Sequence, residues 1–162
     1  MGTTHRVSSM RTLVRSTFVL AALVVSSVLG STPASAADLD DFLWESRPLL
    51  VFAPTSSDPR LVETLNRIEA TRCDFVGREM VAGVILADGS GTFDGRPMET
   101  GEPQRLADAY GVGRDGFTVV LIGKDGGEKF RVDDVPDLQT FYAVVDGMPM
   151  RAREAQSDSS QC

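Results

Sequence analysis

Residues 47–72 read RPLLVFAPTSSDPRLVETLNRIEATR, and this stretch decides the fold. It opens with an apolar run from Leu49 to Phe52, a pattern typical of a strand that is buried on both faces. Asp58 and Pro59 then mark the start of a helix, because aspartate favours the N-cap and proline fits the first helical position. A buried strand, a short turn and an amphipathic helix predict the first unit of an α/β domain.

The remainder of the chain extends this unit into a sheet with further helices. Apolar runs predict three more strands, at residues 81–87, 117–122 and 128–132, and amphipathic runs predict two more helices, at 103–110 and 136–149. The Asp125-Gly126 turn between the last two strands is the strongest hairpin signal, and a smaller hairpin is expected at Asp94-Gly95. The order β-α-β-α-β-β-α predicts a thioredoxin-like α/β fold, a mixed sheet with helices on both faces.

The first 36 residues have the order of a secretory signal peptide. An apolar run from Phe18 to Leu29 follows three arginines and precedes the small-residue site Ala34-Ser35-Ala36. The run is shorter than the roughly 20 residues that a spanning helix needs, although an uncleaved membrane anchor is an alternative. We therefore expect a signal peptide at 1–36, one domain at 37–150 and a disordered tail at 151–162. The protein should be exported, periplasmic or secreted, with no stable membrane insertion after cleavage.

Acidic side chains dominate the predicted mature chain. Three of the 16 basic residues and none of the 23 acidic ones fall within residues 1–36, which leaves 13 against 23 and a net charge of −10. Such a surface repels phosphate groups, so nucleic acid and anionic membranes are not expected partners. The simplest interpretation is that this charge keeps an exported protein soluble.

Several enzyme classes need residues that the predicted mature chain lacks. The sole histidine, His5, lies in the predicted signal peptide, so a serine–histidine triad, a cysteine–histidine pair and an ordinary zinc site are excluded. No glycine-rich nucleotide-binding motif occurs. Asp133 and Asp134 lack the spacing of a calcium-binding loop, and their place before Pro136 predicts a helix cap instead. We expect neither a metal nor a cofactor.

Three stretches carry a resemblance to a known family: RPLLVFAPTSSDPRL at 47–61, LADAYGVGRDGFTVVLIGKDGGEKFR at 106–131 and DVPDLQTFYAVVDGMPMR at 134–151. Together they resemble a domain-of-unknown-function family. Its members include small exported bacterial proteins and the C-terminal domains of extracellular sushi-repeat-containing proteins and their coiled-coil relatives, the DRO, URB, equarin and SRPUL group. The resemblance spans roughly residues 38–151. It implies a thioredoxin-like fold similar to that of peroxiredoxins, and it implies no established activity.

The turn after the first strand lacks the thiols of thioredoxin-like redox enzymes. Ser57-Asp58-Pro59-Arg60 occupies the position of the C-x-x-C motif, and a serine hydroxyl replaces neither a thiolate nor a disulfide. No cysteine follows Pro54-Thr55, and no proline precedes Phe117. Cys73, expected to be a small buried or half-buried residue, is the remaining thiol candidate. It could also pair with Cys162, the only other cysteine.

The predicted site therefore lies at the start of the first helix. Thr55, Ser56, Ser57 and Asp58 precede its N-terminus, where backbone N–H groups favour anions, and Arg114-Asp115 should lie opposite. We expect a small polar pocket for a carboxylate, a sulfate or a partner side chain. The alternative is that these residues only cap the helix.

The leading hypothesis is a redox-inactive binding protein whose partner is an unknown protein or a small anionic ligand. One alternative is an atypical thiol oxidoreductase or peroxiredoxin-like enzyme that uses Cys73. Another is a domain that only stabilises an envelope assembly.

Overall fold

A computed structural model describes residues 1–2 and 38–157 of this protein. Most of the predicted signal peptide, its cleavage site and the final residues 158–162 lie outside the described residues. None of the helices in the described part of the chain has the length and apolar character that crossing a bilayer requires.

The helices and strands follow the predicted order, with additions. They are a 3-10 helix at Leu39–Phe42, β1 at Arg47–Ala53, α1 at Pro59–Ala70, α2 at Arg72–Val76, β2 at Met80–Leu86, β3 at Gly91–Phe93, β4 at Arg96–Pro97, α3 at Glu102–Ala109, β5 at Thr118–Ile122, β6 at Glu128–Val132, α4 at Leu138–Asp146 and α5 at Arg151–Ser157. The small hairpin expected at Asp94-Gly95 is present, because β3 and β4 pair antiparallel on either side of it.

One six-stranded sheet, in the order β4-β3-β2-β1-β5-β6, forms the centre of the fold. Strand β1 runs parallel to β2 and antiparallel to β5, and β5 runs antiparallel to β6. The sheet is mixed and has helices on both faces, as predicted, with β1 and β2 parallel and β5 antiparallel to β1. The thioredoxin-like α/β fold is therefore confirmed, and β3 and β4 extend the sheet beyond β2.

Strand β1 is buried along its whole length and separates two cores. Successive side chains point to opposite faces of a strand, so Leu49 and Val51 meet α1 and α4, while Leu50 and Phe52 meet the 3-10 helix and α3. The residues predicted on the core side of α4 are all buried: Leu138, Phe141, Tyr142 and Val145.

The helix starts follow the capping chemistry of the sequence in α1 but not in α4. Asp58 caps α1 and Pro59 occupies its first turn, as predicted. Asp137, rather than Asp133 or Asp134, caps α4 by accepting a hydrogen bond from the backbone of residue 139. Asp133 instead accepts a hydrogen bond from Thr118 of β5, at 2.9 Å. The expectation that Asp133-Asp134 caps this helix is wrong, because the Asp133 carboxylate instead binds Thr118, a residue of a neighbouring strand.

The expectation of a disordered tail is wrong for residues 151–157, which form α5. Glu154 of this helix contacts Arg47 at the start of β1. Composition alone indicates disorder for such a polar segment, because it does not reveal a contact between residues so far apart in sequence.

Gly83 of β2 marks a position where the sheet tolerates no side chain. A Cβ atom there would lie 2.6 Å from the Phe93 ring and 2.9 Å from the Leu50 side chain, both fully buried. We expect Gly83→Ala to lower the free energy of unfolding by about 1–3 kcal/mol, measured by denaturant titration, because a packed core resists added volume. Gly113→Ala is the control, since a Cβ there meets nothing within 4 Å. Equal unfolding midpoints for the two variants would contradict this account of the packing.

Candidate functional site

The Asp58 carboxylate occupies the anion-binding position at the N-terminus of α1, in the turn between β1 and α1. Asp58 Oδ1 accepts hydrogen bonds from the backbone N–H of Arg60, at 2.9 Å, and from Arg60 Nε, at 3.0 Å. Its other oxygen lies 2.7 Å from Arg60 Nη2, and the Arg60 guanidinium lies 4.8 Å above the Phe117 ring. The side-chain hydrogen bond from Arg60 is the main reason that the pKa of Asp58 is lowered. The helix N-terminus predicted to attract an anion therefore already holds one.

The predicted site residues fall into two groups. Thr55, Ser56 and Ser57 are exposed, and the hydroxyl oxygens of Thr55 and Ser57 lie 3.3 Å apart. Arg114 and Asp115 are also exposed, and Arg114 lines a cavity of about 30 Å³ between the ends of β1 and β2 and helix α3. That volume suits roughly one water molecule. None of residues 55–58 lines this cavity, so a shared pocket for both groups stays a prediction.

Cys73 is exposed and disulfide-bonded. It lies in the short helix α2, beyond the end of α1 at Ala70. The expectation of a buried or half-buried cysteine is wrong, because the apolar contacts of α2 are made by Phe75. Among the residues that the structure describes, no group of three or more histidine, cysteine, aspartate or glutamate side chains could hold a metal ion.

A second candidate site is a buried group of charges at the opposite end of β1. We call it the charge cluster, and it consists of Arg47, Glu79, Lys124 and Glu154. Arg47 Nη1 and Nη2 each donate to one oxygen of the Glu154 carboxylate, at 2.9 Å, and Lys124 Nζ lies 2.8 Å from Glu154 Oε1. Glu79 contacts Lys124 and lies 3.6 Å from Arg47 Nη1. The two cations are nearly inaccessible to solvent, with 1% of the Arg47 side chain and 8% of the Lys124 side chain exposed.

Glu154 is held in its charged form by this cluster. Its burial alone would raise its pKa, but the hydrogen bonds and charges of Arg47 and Lys124 outweigh that effect and lower the pKa to about 2. Arg47 retains an unused donor, since its buried Nε has no hydrogen-bond partner among the described residues. The arrangement is a carboxylate-binding site that the chain's own glutamate occupies.

Sequence reasoning missed the charge cluster. Arg47 lies two residues before the apolar run that predicts a strand buried on both faces, and a buried arginine is almost always paired, which was the one available signal. Its partner Glu154 lies 107 residues away in a segment predicted to be disordered. Nothing in the local sequence identifies that partner.

A cleft of about 590 Å³ opens beside the cluster. Arg47 and Lys124 lie in its lining, together with the exposed Trp44 and residues of the turn between α4 and α5. The cleft is far larger than the cavity at Arg114 and falls within the usual size of small-molecule sites, roughly 300–1,000 Å³.

Comparisons with known proteins return one family and distant structural neighbours. The family model "Domain of unknown function (DUF4174)" matches residues 38–154. A search of curated proteins returned no match. A thioredoxin-fold protein from Helicobacter pylori is 15% identical, with a TM-score of 0.49, and the alignment covers 79% of this chain and 80% of that one. Thioredoxin peroxidase I from Plasmodium yoelii is 16% identical, with a TM-score of 0.45 and coverage of 76% and 83%. The fold assignment rests on the strand order and directions given above.

The pH dependence of stability tests the environment of Glu154. A folded-state pKa of about 2, below the ordinary glutamate pKa of 4.5, means that the ionised carboxylate stabilises the folded state above about pH 4.5 and loses this effect as the pH falls towards 2. The contribution is on the order of 2–3 kcal/mol. We expect acid unfolding, followed by circular dichroism, to reduce stability more steeply in the wild type than in Glu154→Gln between pH 4.5 and 2. Parallel curves over this range would show that Glu154 is not held by the two cations.

Proposed function

The chain belongs to the DUF4174 family of domains of unknown function, and we propose that this protein is an exported, non-catalytic binding protein. Its thioredoxin-like sheet would serve as a scaffold that holds a partner and catalyses no dithiol exchange. The signal-peptide pattern of residues 1–36 supports export to the periplasm or the exterior. The predicted relationship to extracellular sushi-repeat-containing proteins agrees with such a role.

The observation that carries this proposal is the chemistry of the β1–α1 turn. At the position where thioredoxin-like enzymes carry thiols, this turn has Ser57, Asp58 and Arg60, and its one carboxylate is engaged by the arginine. The helix N-terminus therefore lacks a thiol whose pKa it could lower. Cys73, the cysteine of the described chain, is in a disulfide and lies beyond the far end of α1.

Thiol assays test the non-catalytic role. We expect the wild type, Cys73→Ser and Cys162→Ser to give equal, background rates in insulin-disulfide reduction and peroxide reduction. Cys162→Ser is the matched control, because it removes the chain's other cysteine and leaves Cys73 in place. A rate that Cys73→Ser abolishes and Cys162→Ser preserves or increases would favour the thiol-enzyme alternative and overturn the proposal.

The partner is proposed to be a protein or a small anion that contacts the turn through Thr55, Ser56 and Ser57. Because Asp58 competes for the same N–H groups, an external anion should bind more tightly to Asp58→Ala than to the wild type. Sulfate titration by NMR checks this, with amide shifts expected at residues 56–61 in the variant. If neither protein shows amide shifts with sulfate, the turn binds no external anion and its residues only cap the helix.

A further inference from the structure

The cleft beside the charge cluster has the composition of a site for an amphiphilic molecule. One part of its wall is apolar, made of Trp44, Ala143, Val144, Met148, Pro149 and Met150. The other part contains Arg47 and Lys124, whose side chains are buried cations. Small-molecule sites are typically of this kind, mainly apolar with a few fixed polar groups that orient the ligand.

The way in which Glu154 is bound shows which ligand group the two cations accept. Arg47 donates hydrogen bonds to both carboxylate oxygens of Glu154, which is the bidentate geometry typical of guanidinium–carboxylate pairs. Lys124 adds a third contact to the same carboxylate. Glu154 comes from α5, the last element that the structure describes, and reaches the sheet from outside it. Arg47 Nε and the Nε and Nη1 of the neighbouring Arg151 still lack hydrogen-bond acceptors among the described residues.

The charges of the cluster balance, which limits how an anion could enter. Arg47 and Lys124 supply two positive charges, and Glu79 and Glu154 supply two negative ones. A third cation, Arg151, lies 3.9 Å from Glu154 Oε2, and Asp146, 3.6 Å from Arg151 Nε, supplies the matching negative charge. A third buried carboxylate would carry an uncompensated charge, at a cost of several kcal/mol. An incoming carboxylate must therefore replace one of the two glutamates. Glu154 is the replaceable one, because it lies on α5, outside the sheet, whereas Glu79 lies in the turn between α2 and β2, where its backbone carbonyl accepts a hydrogen bond from the Arg47 N–H at 2.8 Å.

Backbone strain is concentrated around this site. Trp44 has a φ of 65° and Glu79 a φ of 53°, in the left-handed region that side chains other than glycine rarely adopt. The Trp44 backbone N–H donates to the Lys124 backbone carbonyl at 2.7 Å, which holds the main chain that carries the indole next to the residue that supplies the cation. The indole is nonetheless 65% exposed at the cleft. Such strain persists where the surrounding structure enforces it, and it is frequent at ligand sites.

We propose that this cleft binds a small amphiphilic carboxylate, a molecule with one carboxylate and an unbranched apolar body, and that its carboxylate replaces Glu154 on Arg47 and Lys124. The apolar body lies along Trp44, Val144 and Met148. Glu154 thus acts as a built-in competitor that fills the cationic end of the cleft when no ligand is bound. This inference rests on the proposed binding role but concerns a different site from the β1–α1 turn.

Trp44 reports binding directly, because it is the only tryptophan of the chain. The purified protein is titrated at pH 7.5 with decanoate, with decanol, which has the same tail without the carboxylate, and with acetate, which lacks the tail. We expect decanoate to shift Trp44 emission to shorter wavelength with saturation. Decanol should bind at least about tenfold more weakly, since hydrogen bonds to charged groups are worth roughly 1.5–3 kcal/mol. Acetate should also bind at least about tenfold more weakly, because it buries no apolar tail against the cleft wall.

Two substitutions separate a ligand site from a structural ion pair. Glu154→Gln removes the competing charge and should tighten decanoate binding about tenfold or more while leaving decanol binding unchanged. Lys124→Gln should reduce decanoate affinity to the level of decanol. Glu128→Gln is the matched control, because Glu128 is an exposed glutamate paired with Arg131, and it should change neither affinity. Thermal melts establish that each variant is folded. If Lys124→Gln does not fold, the decanoate affinity of Glu154→Gln alone tests the inference.

Three ligand-binding results would overturn the inference. They are the absence of a saturable Trp44 response to decanoate, equal affinity for decanoate and decanol, and an unchanged decanoate affinity in Glu154→Gln with a lowered melting temperature. A concentration-dependent shift of Trp44 emission without ligand would also overturn it, because a second copy of the chain would then cover the cleft. None of these outcomes bears on the thiol assays, so a failure here is distinguishable from a failure of the proposed non-catalytic role.

Discussion

All seven residues of strand β1 are buried, and this burial is the constraint on which the rest of the structure depends. A strand with apolar side chains on both faces is stable only when each face is covered, so α1 and α4 pack on one side and the 3-10 helix and α3 on the other. The hydrogen-bonding edges of β1 are likewise filled, by β2 and β5. Both ends of this rigid strand consequently become fixed points from which functional side chains can be placed.

The charged side chains at the two ends of β1 are neutralised by partners at different distances along the chain. At its C-terminal end, Asp58 and Arg60 are two residues apart and satisfy each other within the turn. At its N-terminal end, Arg47 is almost fully buried and has no local counterion of that kind. A buried charge without a partner costs several kcal/mol, so Arg47 must recruit carboxylates from elsewhere, and the Glu154 contact holds α5 against the sheet. Ion pairs of Glu154 with Arg47 and Lys124 therefore connect α5 to the sheet.

Local chemistry made much of the fold predictable. The apolar run of β1, the Asp58-Pro59 helix start and the two Gly-containing hairpins all depend on residues within a few positions of one another, and all are present. The candidate site was predicted less completely. The helix cap at Asp58 is present, but its pairing with Arg60 was not foreseen, and Arg114 lines a separate small cavity.

The sequence by itself determined the strand and helix pattern, and with it the thioredoxin-like sheet and the absence of thiols at the β1–α1 turn. Only the tertiary structure decided that Arg47, Lys124 and Glu154 meet beside an apolar cleft, that residues 151–157 are helical and that Cys73 is exposed. The physical reason is range. Capping, turn formation and periodic burial act between near neighbours, whereas the neutralisation of a buried charge depends on a partner that only the folded chain brings within reach.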